Sequence, residues 1–185
     1  LIGNVVNFLK PLILGKKIDE NFEINSLKLI PFIASTGLVK SVISGIEIAY
    51  YDLLGKIFKK PIYKLLNPYQ KNNISINSYC SGGSVIFNEL QIAKEVENLI
   101  NQGFKSYKMR VGYNSLKKDI SRISTAKKIL GKKNNLMIDA IMGTHKNKWD
   151  YNKANEFIKE TKSYNPLWIE EPINPLNIYE MSSWS

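Results

Sequence analysis

The sequence predicts an α/β chain whose larger part is a partial (β/α) barrel, with helices leading into it. Three observations carry that reading. Strand-like and helix-like stretches alternate from about residue 74 onward, as parallel strands joined by crossover helices do. Lys108, Asp139 and Glu170 punctuate three successive strand-like runs, FKSYKMRVG, LMIDA and PLWIEEP, at an equal step of thirty-one residues. That step is the length of one strand–helix–strand unit. Four strands of this kind fit in 185 residues, whereas a closed barrel needs eight strands and about 250 residues.

The elements follow in order. Residues 1 to about 66 read as mostly helical support. Asn4–Leu14 is apolar on one side and ends at Gly15, and Asp19–Leu29 is a second candidate. Ser41–Phe58 is the strongest helix, with Ile43, Ile46, Ile48, Ala49, Leu53, Leu54 and Ile57 at helical spacing. Pro61 stops it, and Ile62–Leu66 forms a short turn or helix before Asn67-Pro68. Ile74–Tyr79 alternates as a strand and runs into Cys80-Ser81-Gly82-Gly83. Leu90–Asn101 is an amphipathic helix with Gly103 as its C-cap. Phe104–Val111 is the next strand, and Ser115–Leu130 the next helix, capped by Gly131. Asn135–Ala140 is a strand, Asp150–Tyr164 a helix burying Ala154, Phe157 and Ile158, and Pro166–Glu170 a strand. A further helix begins at Leu176.

Composition narrows the class. The net charge is +10, yet only Arg110 and Arg122 are arginine, and the lysines come as scattered doublets alternating with acids. Without an arginine-rich run interleaved with aromatics, this reads as a solvated lysine-rich surface, with no nucleic-acid partner expected. No apolar run is long enough to span a bilayer, so no membrane partner is expected. A single cysteine, Cys80, fits a reducing compartment, and the expected location is cytoplasmic. The chain starts at Leu1 rather than Met and stops just inside a new element, so it reads as a piece of a longer protein.

The punctuating residues suggest a chemistry. Lys108 and Arg110 are two apart on a strand and share a face. A second cation beside Lys108 would lower its pKa and favour the neutral, basic form. Asp139 and Glu170, on neighbouring strands, offer hard oxygen ligands suited to Mg²⁺, with no His/Cys cluster competing. A divalent ion beside cations would stabilise the enediolate formed when a carboxylate substrate loses its α-proton. Glu171 reads as a supporting or capping acid rather than a ligand. Ser81, beside the first strand, and His145, the one histidine, in the loop after Asp139, are candidate substrate contacts. Cys80 reads as filler of a small apolar space.

These motifs, taken together, resemble the mandelate racemase and muconate-lactonizing branch of the enolase superfamily. Gly45-Ile46-Glu47-Ile48-Ala49-Tyr50-Tyr51-Asp52-Leu53-Leu54-Gly55-Lys56 is similar to the last helix of that family's capping domain. Tyr79 to Gly83 resembles its first barrel strand, and Lys108-Met109-Arg110 its Lys-x-Lys/Arg strand. Leu136 to Ala140 and Trp168 to Pro172 resemble the strands of its first two metal ligands. The resemblance implies an α+β capping domain on a modified (β/α)₇β barrel. Residues 1–70 would be the C-terminal part of the capping domain, and 71–185 the first half of the barrel. It also implies Mg²⁺ held by Asp139 and Glu170, Lys108 near a substrate carboxylate, and Arg110 at the position of the family's basic lysine. Arginine is nearly always protonated; in members with Lys-x-Arg the working base is a histidine on a later strand. The family usually has Asp-Ala-Asn where this chain has Asp139-Ala140-Ile141, and the segment Met142 to Lys148 is longer. A third metal ligand is expected one strand further along. The stretch Pro166 to Pro172 is similar to sugar-acid dehydratases, so the expected reaction is dehydration of a small sugar acid. A racemase or epimerase of the same branch, or a non-catalytic remnant, is the alternative. A homo-oligomer is expected for the full-length protein.

Overall fold

The computed structural model describes residues 1–15, 37–69 and 75–184. The expected helix Asp19–Leu29 and the residue Ile74 lie outside them. The chain divides into two units, Leu1–Ile74 and Ser75–Ser185.

In the first unit, α1 (Ile2–Ile13), α2 (Gly37–Phe58) and α3 (Ile62–Leu66) are helical. Leu9 of α1 is buried against Val42 and Ile43 of α2, with Val5, Ile13, Val39 and Ile46 packed around them. The apolar face expected for α2 is narrower than its spacing implied. Ile43 and Leu54, eleven residues and three turns apart, are buried, while Ile48 is 70% and Ile57 52% exposed. Ile48 is displaced by more than a third of a turn from the Ile43–Leu54 line.

The second unit runs β1 (Cys80–Gly82), α4 (Glu89–Asn101), β2 (Ser106–Arg110), α5 (Leu116–Leu130), β3 (Asn135–Asp139), α6 (Tyr151–Thr161), β4 (Ile169–Glu170) and α7 (Ile178–Met181). Short 3₁₀ turns follow α6 and α7. The four strands are parallel and ordered β1-β2-β3-β4. This is a partial (β/α) barrel: sequential parallel neighbours, each joined to the next through a helix.

The strands are shorter than the sequence pattern implied. The first lies at Cys80–Gly82, just beyond the expected Ile74–Tyr79, and its only ladder partner among the described residues is β2, in the register Cys80↔Tyr107. Tyr79 would face Ser106, the first residue of β2, and residues earlier than Tyr79 would need partners in the connection between α4 and β2. The fourth strand is two residues long, paired as Ile138↔Ile169 and Asp139↔Glu170, with Leu167 N–H also donating to the Leu136 carbonyl ahead of it.

Local chemistry starts the helices sharply. Asn88 accepts from Gln91 N–H while the Gln91 side chain accepts from Asn88 N–H, a reciprocal capping box at α4. Ser115 and Asp150 cap α5 and α6 by accepting from Lys118 and Lys153 N–H. One face of the sheet is packed by these helices. Tyr107 and Met109 of β2, and Leu136 and Ile138 of β3, are at most 1% exposed in a core with Ile92, Val96, Ile123, Ala126, Ala154 and Phe157. Ile158 is only half-buried.

Candidate active site

Strand alternation sends the residues between those core positions to the other face. The pairing sets them in two levels. Ser81, Lys108 and Met137 are aligned at one level, and Arg110, Asp139 and Glu170 at the next, nearer the carboxyl ends of the strands. Lysine has a stem long enough to climb one level. Lys108 Nζ lies 2.8 Å from Glu170 Oε2 and 3.3 Å from Asp139 Oδ2. Two carboxylates from adjacent strands thus aim oxygens at one cationic nitrogen. The side chains of Lys108 and Asp139 are each 11% exposed and that of Glu170 is 41% exposed.

The electrostatics correct one sequence-based expectation. Arg110 does not press on Lys108; it is exposed at the end of β2, and among the described residues its guanidinium forms no ion pair. The hydrogen bond to Glu170 raises the pKa of Lys108 above its ordinary value, with Asp139 acting in the same direction, and this outweighs the desolvation that opposes it. Lys108 is therefore held as a cation, not poised as a neutral base.

The loops around this edge are tied by a network that the sequence signalled only through the rarity of arginine. Arg122 of α5 is fully buried and donates in five directions. Its partners are the carbonyls of Phe87, Gly83, Ser84 and Arg110 and the Asp119 carboxylate, the last at 2.8 Å. Asp119 in turn accepts from Gly112 N–H at 2.8 Å and from the Asn114 amide. The planar fork of arginine matches this fan of carbonyls as no lysine could. One ion pair thereby fixes the loops that leave β1 and β2. Glu95 of α4 adds to this by accepting from Gly83 N–H and the Tyr107 hydroxyl.

Beyond β3 the backbone is strained. Ile141 has φ 50° and Glu171 φ 48°, the left-handed region that a β-branched residue such as Ile141 especially resists. Local bonds hold the turn. Ile141 N–H donates to Asp139 Oδ1 at 3.0 Å, Met142 N–H to the Glu171 carbonyl at 3.2 Å, and Gly143 N–H to Glu171 Oε2 at 3.0 Å. Glu171 thus supports the loop after β3, and the two strained residues follow Asp139 and Glu170 in the chain.

The remaining candidates are less engaged. Ser81 shares the level of Lys108 and is exposed. His145 lies in the loop after β3, its ring 4.1 Å from that of Tyr113 in the loop after β2, and its Nδ1 accepts from Asn147 N–H. Cys80 is a free, half-buried thiol. A cavity of about 530 Å³ opens at the opposite, amino-terminal rim, among Tyr79, Ser106, Asn135, Met137 and Trp168. Lys108, Asp139 and Glu170 do not line it, so concavity alone points to the wrong rim: in parallel barrels the chemistry sits at the carboxyl ends of strands.

A half-formed parallel barrel with a lysine and two carboxylates gathered at that edge defines the class: a barrel of the kind that carries active sites on its strand ends. Residues 91–184 match the family described as "Enolase C-terminal domain-like". Arabinonate dehydratase of Saccharolobus solfataricus is 29% identical over 144 residues, 74% of this chain and 35% of that protein. L-Ala-D/L-Glu epimerase of Clostridium acetobutylicum is 28% identical over 183 residues, 95% of this chain and 46% of that protein. The crystal structure of a racemase from Streptomyces coelicolor with bound magnesium superposes with a TM-score of 0.78 at 25% identity, covering 97% of this chain and 49% of that one. The chain belongs to the enolase superfamily, in its mandelate racemase and muconate-lactonizing branch. It spans half or less of the length of these relatives. Among the described residues no helix is long and apolar enough to cross a membrane.

Proposed function

We propose that the protein containing this chain removes the proton α to the carboxylate of a small sugar acid and expels the β-hydroxyl as water, giving a 2-keto-3-deoxy acid. The convergence of Lys108, Asp139 and Glu170 on one point carries this reading. The donor set fits Mg²⁺: hard carboxylate oxygens on adjacent strand ends already gather around a positive charge. Among the described residues no third His, Cys, Asp or Glu joins them, so Asp139 and Glu170 would hold the ion as two of its ligands. When bound, Mg²⁺ supplies positive charge where the enediolate develops. Lys108, as an ammonium, binds the substrate carboxylate. Arg110, free of ion pairs among the described residues at the level of Asp139, faces the same developing charge. Arg110 is not the proton acceptor, because a guanidinium stays charged, and Lys108 is assigned to the substrate carboxylate. The acceptor is then a base on a later strand, as the family resemblance implies. Ser81 and His145 are proposed substrate contacts at the margin of the site.

Incubating the full-length protein with Mg²⁺ and a panel of aldonic and aldaric acids tests the reaction. A 2-keto product with at least one acid is expected, abolished by chelator and reduced about 10²–10³-fold in Lys108→Met through the lost electrostatic stabilisation. No 2-keto product from any acid overturns dehydration. A second reading, racemisation or epimerisation, is favoured by the epimerase aligned over 95% of the chain. Exchange of the α-hydrogen with deuterated solvent, without loss of hydroxyl, would select it.

A further inference from the structure

We propose that Lys108 is a built-in counter-cation, which a divalent metal must displace from Asp139 and Glu170 before the lysine is free to meet a substrate carboxylate. The inference rests on the reading of those two acids as metal ligands and adds an order of binding to it. Asp139 is already committed at one oxygen: Oδ1 accepts from Ile141 N–H at 3.0 Å. Its other oxygen, Oδ2, is the one that Lys108 Nζ approaches to 3.3 Å, and Glu170 Oε2 receives the same nitrogen at 2.8 Å. The ammonium therefore holds the Asp139 oxygen left uncommitted by the loop and one oxygen of Glu170.

A magnesium ion bound by these oxygens would sit about 2.0–2.1 Å from each. That puts two cations in one small, largely buried space, where like charges repel strongly. One of them leaves, and the flexible lysine stem is the part able to move. The Tyr79 ring centroid lies 5.9 Å from Nζ in the bridged arrangement. That ring is braced edge-on against Trp168 at 5.6 Å. Arg110 does not take over the bridge, because its side chain is exposed and makes no ion pair among the described residues. While Lys108 bridges the acids, the fraction of molecules competent to bind metal is small, and apparent affinity falls by that fraction.

Titrating the full-length protein with Mn²⁺, followed by calorimetry and by the resonance of free Mn²⁺, tests this directly. Lys108→Met, similar in shape but uncharged, should bind Mn²⁺ at least about tenfold more tightly than the parent. Lys108→Gln serves the same purpose should the methionine variant misfold. In the unmutated chain carrying ¹³C-methylated lysines, the Lys108 resonance should shift when diamagnetic Mg²⁺ is added. Equal or weaker Mn²⁺ binding by both variants, or a Lys108 signal indifferent to Mg²⁺ in a chain that binds it, overturns displacement while leaving the metal role of the two acids standing. Glu170→Gln distinguishes the deeper failure: if it binds Mn²⁺ as tightly as the parent, or if neither binds, Glu170 is not a metal ligand, and the inference falls with it.

Discussion

At the scale of single residues, Ile141 carries the clearest conflict between side chain and backbone. Its φ of 50° is one that asparagine or glycine adopts readily and a β-branched residue resists. Ile141→Asn should therefore stabilise the chain by about 1 kcal/mol, raising Tm by about 2–4 °C for a chain of this size. A lowered Tm in thermal unfolding would show that the half-buried isoleucine contributes more by packing than its conformation costs. Tyr107 makes a pH-dependent prediction. Burial first, then the bond to Glu95, push its hydroxyl well above the ordinary value of 10.0. The folded state thus keeps a proton that the unfolded state sheds above pH 10, so this contribution is intact below that pH and is lost as pH rises further. Tyr107→Phe should flatten the alkaline fall in stability; unchanged denaturation midpoints between parent and variant above pH 10 would contradict it. The sequence marked Lys108, Asp139 and Glu170 by equal spacing, but the sign of the Lys108 shift was not legible in it. That sign depends on which neighbour the side chain reaches across one level of the sheet.

At the scale of elements, the loops leaving β1 and β2 are positioned by close backbone approach and by one buried ion pair. A Cβ on Gly83 would lie 2.5 Å from Met109 Cβ, and one on Gly112 would lie 2.5 Å from the Ala140 carbonyl, both at positive φ. Gly112→Ala should cost about 2–5 kcal/mol, from backbone strain together with overpacking against β3. A shift under 1 kcal/mol in chemical denaturation would mean that the loop can yield. Arg122→Met leaves Asp119 buried without its cation, and a loss of about 3–5 kcal/mol is expected. The helix starts here were legible to within a residue, at Leu90, Ser115 and Asp150, since the caps Asn88, Ser115 and Asp150 act through contacts only a few residues away. It did not supply the Arg122 fan. Four of its five acceptors belong to β2 and the loop after β1, between 12 and 39 residues distant, and side-chain periodicity carries no information about such partners.

At the scale of the whole molecule, β1 and β4 are the outer strands of the sheet among the described residues, each paired there on one side only. Unpaired strand edges recruit other strands, so the isolated chain should sediment with a mass that grows with concentration. A monomer at every concentration would mean that these edges are covered. The alternation of strand and helix and the four-strand count were legible in periodicity, because a period of two and a period near 3.6 are local properties of the chain, and Lys108, Asp139 and Glu170 were marked by their equal step. The family likewise lay in short contiguous motifs. Tertiary structure decided where each strand begins, since a ladder exists only where both partners are extended. It also decided that Arg110 stands apart while Lys108 bridges the two acids. Charge, reach and burial at that point are set by three strands at once, and no single stretch of sequence contains all three.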